Sequence, residues 1–279
     1  MPETTRPHAD KISDFHAEKD HVSVEMSDTG VATVVLSYVE RRNAMSAAMT
    51  SAFDRLLPAL ASDPNLRAVL ITGEGTAFCS GGDTGWIGSD PDASIDQLRK
   101  RMMAFYRSWL AIRDIPVPVV MGINGPAVGA GACIALAGDV RIAAQAARFS
   151  VPFLRLGMHP GMATTYLLPE VVGVAAARDL LYTGRSIDAD EMLRLGIVSQ
   201  VLPDEGFAGA MAGIAEQVAA TAPVAARLLK AGLRDGGPRS LEDSVQWEAM
   251  AQPITLATAD LQEGLAAARE KRPAKFAGN

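Results

Sequence analysis

The chain has 279 residues, of which 48% are hydrophobic and 21% are charged, and its formal net charge is -6. That acidic balance argues against the basic face that a broad nucleic-acid interface needs. Its two cysteines, Cys79 and Cys133, are too few for a disulfide framework. With a polar amino-terminal stretch that lacks an apolar leader segment, they predict a protein of the reducing cytoplasm.

The first predicted elements are a tail, a hairpin and a helix. Residues 1–21 are polar and predict a disordered or loosely packed tail. Residues 22–36 alternate around a Ser-Asp-Thr-Gly turn, which indicates two paired strands. Ser46 is then a suitable N-cap for a helix whose apolar side chains share one face.

The central part of the chain alternates short apolar runs with amphipathic segments. The predicted strands and helices are, in order, a strand at 68–73, a helix at 96–112, a strand at 117–123, a helix at 129–138 and a strand at 140–144. The stripe of Met102, Phe105 and Trp109 predicts core packing for the helix at 96–112. Such alternation predicts a mostly parallel sheet covered by helices.

The longest uncharged run, between Asp114 and Asp139, is long enough to cross a bilayer. Prolines and glycines interrupt it, so a buried strand, a turn and a helix are the better interpretation. From about residue 205 onward all the periodic segments are helical. The sequence therefore predicts an α/β core at 22–204 and a helical region at 205–279, with no membrane contact.

Two glycine-rich loops carry the main functional signal. The first is GTAFCSGGD at 75–83 and the second is NGPAVGAG at 124–131, and each follows a buried strand. Glycine lets the backbone approach a ligand closely, so two such loops on neighbouring strands could direct two N–H groups at one oxygen. The alternative is that the glycines only permit tight turns between strand and helix.

Other chemistries find less support in the sequence. The GAG at 129–131 begins a dinucleotide-binding pattern, but Ile134 stands where its last glycine belongs and no acidic residue follows at the expected distance. No set of His, Cys, Asp and Glu has the spacing of metal ligands, and no G-x-S-x-G elbow accompanies a histidine. We therefore expect neither a bound metal nor a dinucleotide.

Six segments together resemble the enoyl-CoA hydratase/isomerase, or crotonase, family. They are RRNAMS (41–46), AFCSGGD (77–83), NGPAVGAGACIALAGDVRIA (124–143), LGMHPG (156–161), LYTGRSIDADEMLRLGIVSQVLP (181–203) and TADLQEGLAAAREKRPAKF (258–276). The resemblance implies a spiral of β-β-α units with a C-terminal helical region that serves trimerisation or acts as a lid. It also implies homotrimers or dimers of trimers, acyl-CoA substrates and a role in fatty acid metabolism.

Carried over residue by residue, the resemblance makes the backbone N–H groups of Gly82 and Ala130 the two donors to a thioester oxyanion. No permanently bound cofactor is implied, because coenzyme A arrives as part of the substrate. The residues implied to bind the coenzyme A part are Arg41, Arg42, Asn43, Ala44, Ser80, Asp83, Gly129 and Lys275. Trp86, Phe153 and Leu156 are the expected walls of the acyl pocket.

The sequence departs from the family pattern at both acid–base positions. Where hydratases of the family carry two glutamates, this chain has Cys133 and Phe153. Cys133 is either a small buried residue or a base whose thiolate is stabilised. His159 is either a general acid–base residue or a cap for the next helix.

Three functions remain open at this point. The first is an acyl-CoA enzyme of the hydratase/isomerase group, acting as a lyase or isomerase. Hydrolysis, C–C cleavage or decarboxylation would use the same oxyanion stabilisation. The second is an acyl-CoA-binding protein without turnover, and the third is a structural subunit of a larger assembly.

Overall fold

The computed structural model of the protein describes residues 15–233 and 240–279. Within them the strands are β1 (Val22–Met26), β2 (Val31–Leu36), β3 (Ala68–Gly73), β4 (Val119–Ile123), β5 (Ala127–Val128), β6 (Val140–Ala144), β7 (Arg148–Ser150), β8 (Ile187–Asp188) and β9 (Gln200–Leu202). The helices are α1 (Ala17–Asp20), α2 (Ala47–Ser62), α3 (Thr84–Ile87), α4 (Ile95–Leu110), α5 (Ala130–Leu136), α6 (Thr164–Thr183), α7 (Ala189–Arg194), α8 (Phe207–Ala219), α9 (Pro223–Leu233), α10 (Leu241–Leu256) and α11 (Ala259–Glu270).

The strands form two sheets. A six-stranded sheet has the order β1-β2-β3-β4-β6-β9, and a three-stranded sheet has the order β5-β7-β8. Apart from the antiparallel pair β1 and β2, the large sheet is parallel. Since β4 precedes β5 and α5, and β6 precedes β7 and α6, successive β-β-α units place one strand in each sheet. The predicted fold is confirmed.

Several local predictions are confirmed by the elements themselves. The hairpin forms with Val24 opposite Val34. Ser46 caps α2, because its side chain accepts a hydrogen bond from the Met49 N–H. The strands predicted at 68–73 and 140–144 have these bounds, and no strand follows β9 in the described residues. No helix among the described residues is long and apolar enough to span a membrane.

The predicted loose tail is wrong for its last part, while residues 1–14 lie outside the described residues. The Phe15 side chain is 3% exposed and belongs to the main hydrophobic core. Asp20 is equally buried and accepts a hydrogen bond of 2.7 Å from Arg55 on α2. His21 stacks on Tyr38 at 3.8 Å between ring centroids. These residues pack because one apolar ring and one paired carboxylate are enough to fix a short helix.

The predicted boundary at 205 also needs correction. Helix α8 is a layer of the α/β body, because it covers the face of the sheet that lies opposite the main core. Phe207, Met211 and Ala215 form a second hydrophobic cluster with Leu70 and Val120 of β3 and β4. The helical region that stands apart from the sheet therefore begins after α8, and its role in trimerisation or as a lid stays a prediction.

Candidate active site

The two glycine-rich loops meet at a cavity of about 140 Å³. The Val128 N–H donates to the Cys79 carbonyl at 2.9 Å, which ties the loops to each other. On the other side, the Met45 N–H donates to the Gly81 carbonyl at 2.8 Å. Both loops thus leave neighbouring parallel strands, β3 and β4, at the same edge of the sheet, as their sequence predicts.

Two backbone N–H groups at this junction have no partner. Neither the Gly82 N–H nor the Ala130 N–H donates a hydrogen bond to another group in residues 15–233 and 240–279. Gly81 lies between them with a φ of +96°, and a Cβ there would stand 3.3 Å from the Ala130 nitrogen. The absence of a side chain at Gly81 therefore keeps the Ala130 N–H accessible.

Four aromatic rings line the cavity, which fits the expectation that Trp86 and Phe153 are pocket walls. Trp86 and Phe105 are tilted by 35° at 5.0 Å between centroids, and Tyr106 meets Phe105 edge-on at 6.2 Å. Phe153 lies in the lining too and is 9% exposed. The third predicted wall, Leu156, is in the lining at its exposed side.

Sequence analysis missed Tyr106, because its neighbours Met102 and Phe105 were assigned to the core. Both of these neighbours line the cavity, while Trp109, one turn further along α4, is fully buried away from it. The Tyr106 hydroxyl has no hydrogen-bond partner in the described ranges. Burial, and to a smaller extent the Cys133 thiol, raises the pKa of Tyr106, so the phenol stays protonated near neutral pH. Only the fold shows that this hydroxyl faces a cavity.

His159 lies in the cavity lining and is exposed. Its Nδ1 is 2.8 Å from the Pro160 carbonyl oxygen. Since a carbonyl can only accept, Nδ1 carries the proton in the neutral ring and Nε2 keeps the lone pair. His159 does not cap α6, whose N-cap is Ala163. The imidazole is thus the one titratable base in the lining formed by the described residues.

Cys133 is wrong as a predicted acid–base residue. It is fully buried, does not line the cavity, and its Sγ lies 2.7 Å from the Thr164 hydroxyl. Burial raises the pKa of the Cys133 thiol to about 12 and outweighs the opposing effect of the hydrogen bond between Cys133 and Thr164. The side chain is a neutral packing group between α5 and α6.

The predicted coenzyme A contacts divide into cavity residues and supporting residues. Ser80 and Gly129 line the cavity. Asn43 does not reach a ligand through its side chain, which is fully buried and bonded to the Tyr38 N–H and to the Glu74 and Ala77 carbonyls. Ala44 and Asp83 support the loops as well, Ala44 by burial and Asp83 by accepting from the Gly85 and Trp86 N–H groups.

The cationic candidates lie in two places. Arg41 and Arg42 are exposed. They lie beside the cavity, because their carbonyls accept hydrogen bonds from the hydroxyl and the N–H of the lining residue Ser80. Lys275 lines a separate polar cavity next to Arg67, where its backbone N–H donates to Glu263. The expectation that Lys275 joins the arginines at one ligand is therefore wrong within a single chain.

No carboxylate lines the cavity in the part of the chain that the structure describes. The described residues also contain no group of three or more His, Cys, Asp or Glu placed to hold a metal ion. The chemistry offered by the protein is thus restricted to two backbone N–H donors, the imidazole of His159, the hydroxyl of Tyr106 and aromatic surface.

Comparison with known proteins gives matches over most of the chain. Residues 26–279 match the family model of enoyl-CoA hydratase/isomerase. A putative enoyl-CoA hydratase from Thermus thermophilus is 34% identical over 91% of this chain and 100% of its own. The 1,2-epoxyphenylacetyl-CoA isomerase of Escherichia coli is 32% identical over 90% of this chain and 96% of its own. The crystal structure of a putative enoyl-CoA hydratase from Streptomyces coelicolor superposes with a TM-score of 0.88, at 33% identity and full coverage of both chains.

Proposed function

Because the chain belongs to the enoyl-CoA hydratase/isomerase family, we propose that it is an enzyme that forms an enolate from an acyl-CoA thioester. In this proposal the thioester carbonyl oxygen accepts hydrogen bonds from the Gly82 and Ala130 N–H groups. The observation that carries it is that these two N–H groups are unpartnered within the described residues and belong to residues that line one cavity. Preorganised donors of this kind stabilise negative charge as it develops on oxygen.

His159 is the proton acceptor in this proposal. Its Nε2 is uncommitted, while Nδ1 is held by the Pro160 carbonyl, which fixes the ring orientation. The lone pair on Nε2 of a neutral imidazole can take a proton from the carbon next to the thioester. The described lining residues include no carboxylate, so beside His159 only the weakly acidic Tyr106 hydroxyl is present for the two proton transfers that hydration needs. We therefore favour isomerisation, or another reaction that passes through the enolate, over hydration.

The coenzyme A part extends toward Arg41 and Arg42 in this proposal. Both residues are exposed and bond Ser80 through their backbone carbonyls, and a guanidinium group suits the phosphate groups of the coenzyme. Asn43, Ala44 and Asp83 act indirectly, by holding the two loops in place. We propose no permanently bound cofactor.

Assembly and location complete the proposal. Helices α9 and α10 expose large apolar side chains, including Leu229, Leu241 and Met250 at 63%, 83% and 71%. Apolar surface of this extent favours burial against another copy of the chain, so we propose a homotrimer or a dimer of trimers in the cytoplasm. Light scattering that returns a monomeric mass at micromolar concentration would contradict the assembly.

Deuterium uptake at the α-carbon of acyl-CoA thioesters in D₂O, followed by mass spectrometry, tests the proposed enolate. We expect exchange above the rate without protein. Ala130→Pro removes one donor at the first residue of a helix, where proline is tolerated, and should lower the exchange rate roughly 10²–10³-fold. Ala130→Gly keeps the N–H and is the matched control.

The second donor and the base have parallel tests. Gly82→Pro removes the N–H, whereas Gly82→Ala retains it and brings its Cβ only against the flexible Ile87 side chain, at 3.2 Å. His159→Gln should abolish exchange while thioester binding persists. Binding without exchange in the parent protein would refute the enzyme and favour the acyl-CoA-binding alternative. Hydrolysed or decarboxylated products in the same assay would identify those reactions in place of isomerisation.

A further inference from the structure

The cavity has the size and surface of a site for one aromatic ring. Its volume is about 140 Å³, and a dry, apolar protein cavity of roughly 150 Å³ binds one benzene molecule. The chain contains only 8 Phe, 3 Trp and 4 Tyr in its 279 residues. Four of these rings surround this one small space.

The arrangement of those rings matches the way in which aromatic groups bind each other. Trp86 and Phe105 are tilted at 5.0 Å, and Phe105 and Tyr106 meet edge-on at 6.2 Å. Ring pairs prefer offset or edge-on contacts at centroid distances of roughly 4.5–7 Å, and they gain energy beyond that of buried area. A flat ring placed among them makes further contacts of this kind. A flexible alkyl chain gains free energy only from burial and loses rotational freedom.

One polar group interrupts this apolar surface. The Tyr106 hydroxyl faces Gly161, where a Cβ would lie within 2.4 Å of it, so the missing side chain makes the room that the hydroxyl occupies. The other two polar side chains of the lining each have a hydrogen bond: the Ser80 hydroxyl donates to the Arg41 carbonyl, and His159 bonds through Nδ1 to the Pro160 carbonyl, which leaves its Nε2 for the proposed proton transfer. A hydroxyl left unpaired in an apolar site is costly, so a ligand oxygen that accepts from it is favoured.

We propose that the acyl group of the substrate carries a single aromatic ring, seated among Trp86, Phe105, Tyr106 and Phe153, with an oxygen on that ring accepting a hydrogen bond from Tyr106. The proposal rests on the proposed function, because it assigns an acyl group to the same thioester site. Tyr106 is then a specificity-determining residue.

Equilibrium binding measured by calorimetry tests the ring. Phenylacetyl-CoA and octanoyl-CoA have equal numbers of acyl carbons but differ in shape. We expect phenylacetyl-CoA to bind at least about tenfold more tightly, a ratio that corresponds to about 1.4 kcal/mol. Equal or tighter binding of octanoyl-CoA would overturn the proposal.

Two substitutions test whether the lining rings cause the preference for phenylacetyl-CoA. Phe105→Leu removes a lining ring and should bring the affinity ratio close to one. Phe53→Leu removes a ring that is fully buried in the same core but absent from the lining, and it should leave the ratio unchanged. If both variants change the ratio equally, the effect is one of general packing and the proposal fails.

Tyr106→Phe tests the polar half of the proposal. Among 2-, 3- and 4-hydroxyphenylacetyl-CoA, at least one isomer should bind more tightly than phenylacetyl-CoA to the parent protein. The variant should lose that gain, about tenfold, so that hydroxylated rings bind to it no more tightly than phenylacetyl-CoA does. A uniform loss for all rings, or no gain for any isomer, would overturn the assignment of Tyr106.

Deuterium exchange on the same compounds separates the two proposals. Exchange that is as fast with octanoyl-CoA as with phenylacetyl-CoA, together with equal affinities, refutes the ring and leaves the proposed enolate chemistry intact. Preferential binding of ring thioesters without any exchange refutes the proposed enzyme and leaves the pocket assignment intact. No binding of any thioester refutes both.

Discussion

Gly131→Ala tests the contact on which the paired N–H groups depend. Gly131 lies in the first turn of α5 and packs on the loop that follows β3. A Cβ at this position would stand 2.2 Å from the Cys79 carbonyl oxygen and 2.8 Å from its carbonyl carbon. Both are backbone atoms, so no side-chain rotation relieves the clash, and the loop and the helix must separate by about 1 Å to restore an ordinary contact.

The separation has a cost in stability and a larger one in activity. Overpacking of this kind costs about 1–3 kcal/mol, and the gain of about 1 kcal/mol from alanine in a helix offsets only part of it. We expect a net loss of up to about 2 kcal/mol in the free energy of unfolding. The same movement displaces Gly82 relative to Ala130, and a misplacement of about 1 Å typically lowers a rate roughly 10²-fold.

Urea unfolding and α-carbon deuterium exchange measure the two effects on one preparation. Gly213→Ala is the matched control, since Gly213 lies in α8 with no atom within 4 Å of its would-be Cβ. There the alanine should stabilise the protein by up to about 1 kcal/mol and leave the exchange rate unchanged. A Gly131→Ala protein as stable and as active as the parent would refute the tight contact between the two loops.

Two further predictions concern buried groups. Burial raises the pKa values of the Cys79 and Cys133 thiols from 9.0 to about 12. Both thiols should therefore resist a thiol reagent at pH 8 in the folded protein and should react with that reagent in urea. The thiols of the unfolded chain ionise at a lower pH than those of the folded protein, so the free energy of unfolding should fall as the pH rises from about 9 towards 12. A free energy of unfolding that rises over this range would contradict the raised pKa values. The Lys230 ammonium lies 2.7 Å from the Asp139 carboxylate and fixes α9 to the body. Lys230→Met should lower the free energy of unfolding by about 2 kcal/mol, whereas Lys100→Met, at an exposed ion pair, should leave the urea midpoint unchanged.

The parts of the fold that sequence predicts are those set by local patterns. The strand pair at 22–36, the cap at Ser46 and the two glycine-rich loops each follow from a few neighbouring residues. The parallel order of the sheet follows from the alternation of strands and helices. The six motifs that resemble the family occur in the family's order over most of the chain. Their joint occurrence indicates the family.

The parts that sequence does not predict depend on distant contacts. The packing of Phe15 and Asp20 requires α2, which lies more than 25 residues later. In the sequence, helix α8 has the same helical pattern as the other C-terminal helices. Only its packing on the large sheet makes it part of the α/β core. Tyr106 shares its helix with core residues, and the face that borders the cavity is defined by Gly161 on another segment.

The sequence predicts that Cys133 and Phe153 stand at the positions of the family's two glutamates. Cys133 is a buried neutral thiol, and Phe153 adds apolar surface to the cavity. The described lining then offers the proposed pair of backbone donors, the His159 imidazole and the Tyr106 hydroxyl. In the proposed function such a site stabilises an enolate and moves one proton, whereas hydration needs two acid–base groups.

The measurement that tests the two-donor site most directly is the carbonyl stretching frequency of a bound thioester. Isotope-edited difference infrared spectra of propionyl-CoA and phenylacetyl-CoA, each labelled with ¹³C at the thioester carbonyl, report the polarisation of that bond. If the Gly82 and Ala130 N–H groups both donate to the oxygen, the band shifts to lower frequency on binding, and Ala130→Pro removes part of the shift. A saturated complex whose carbonyl band stays at its position in water would contradict the two-donor site.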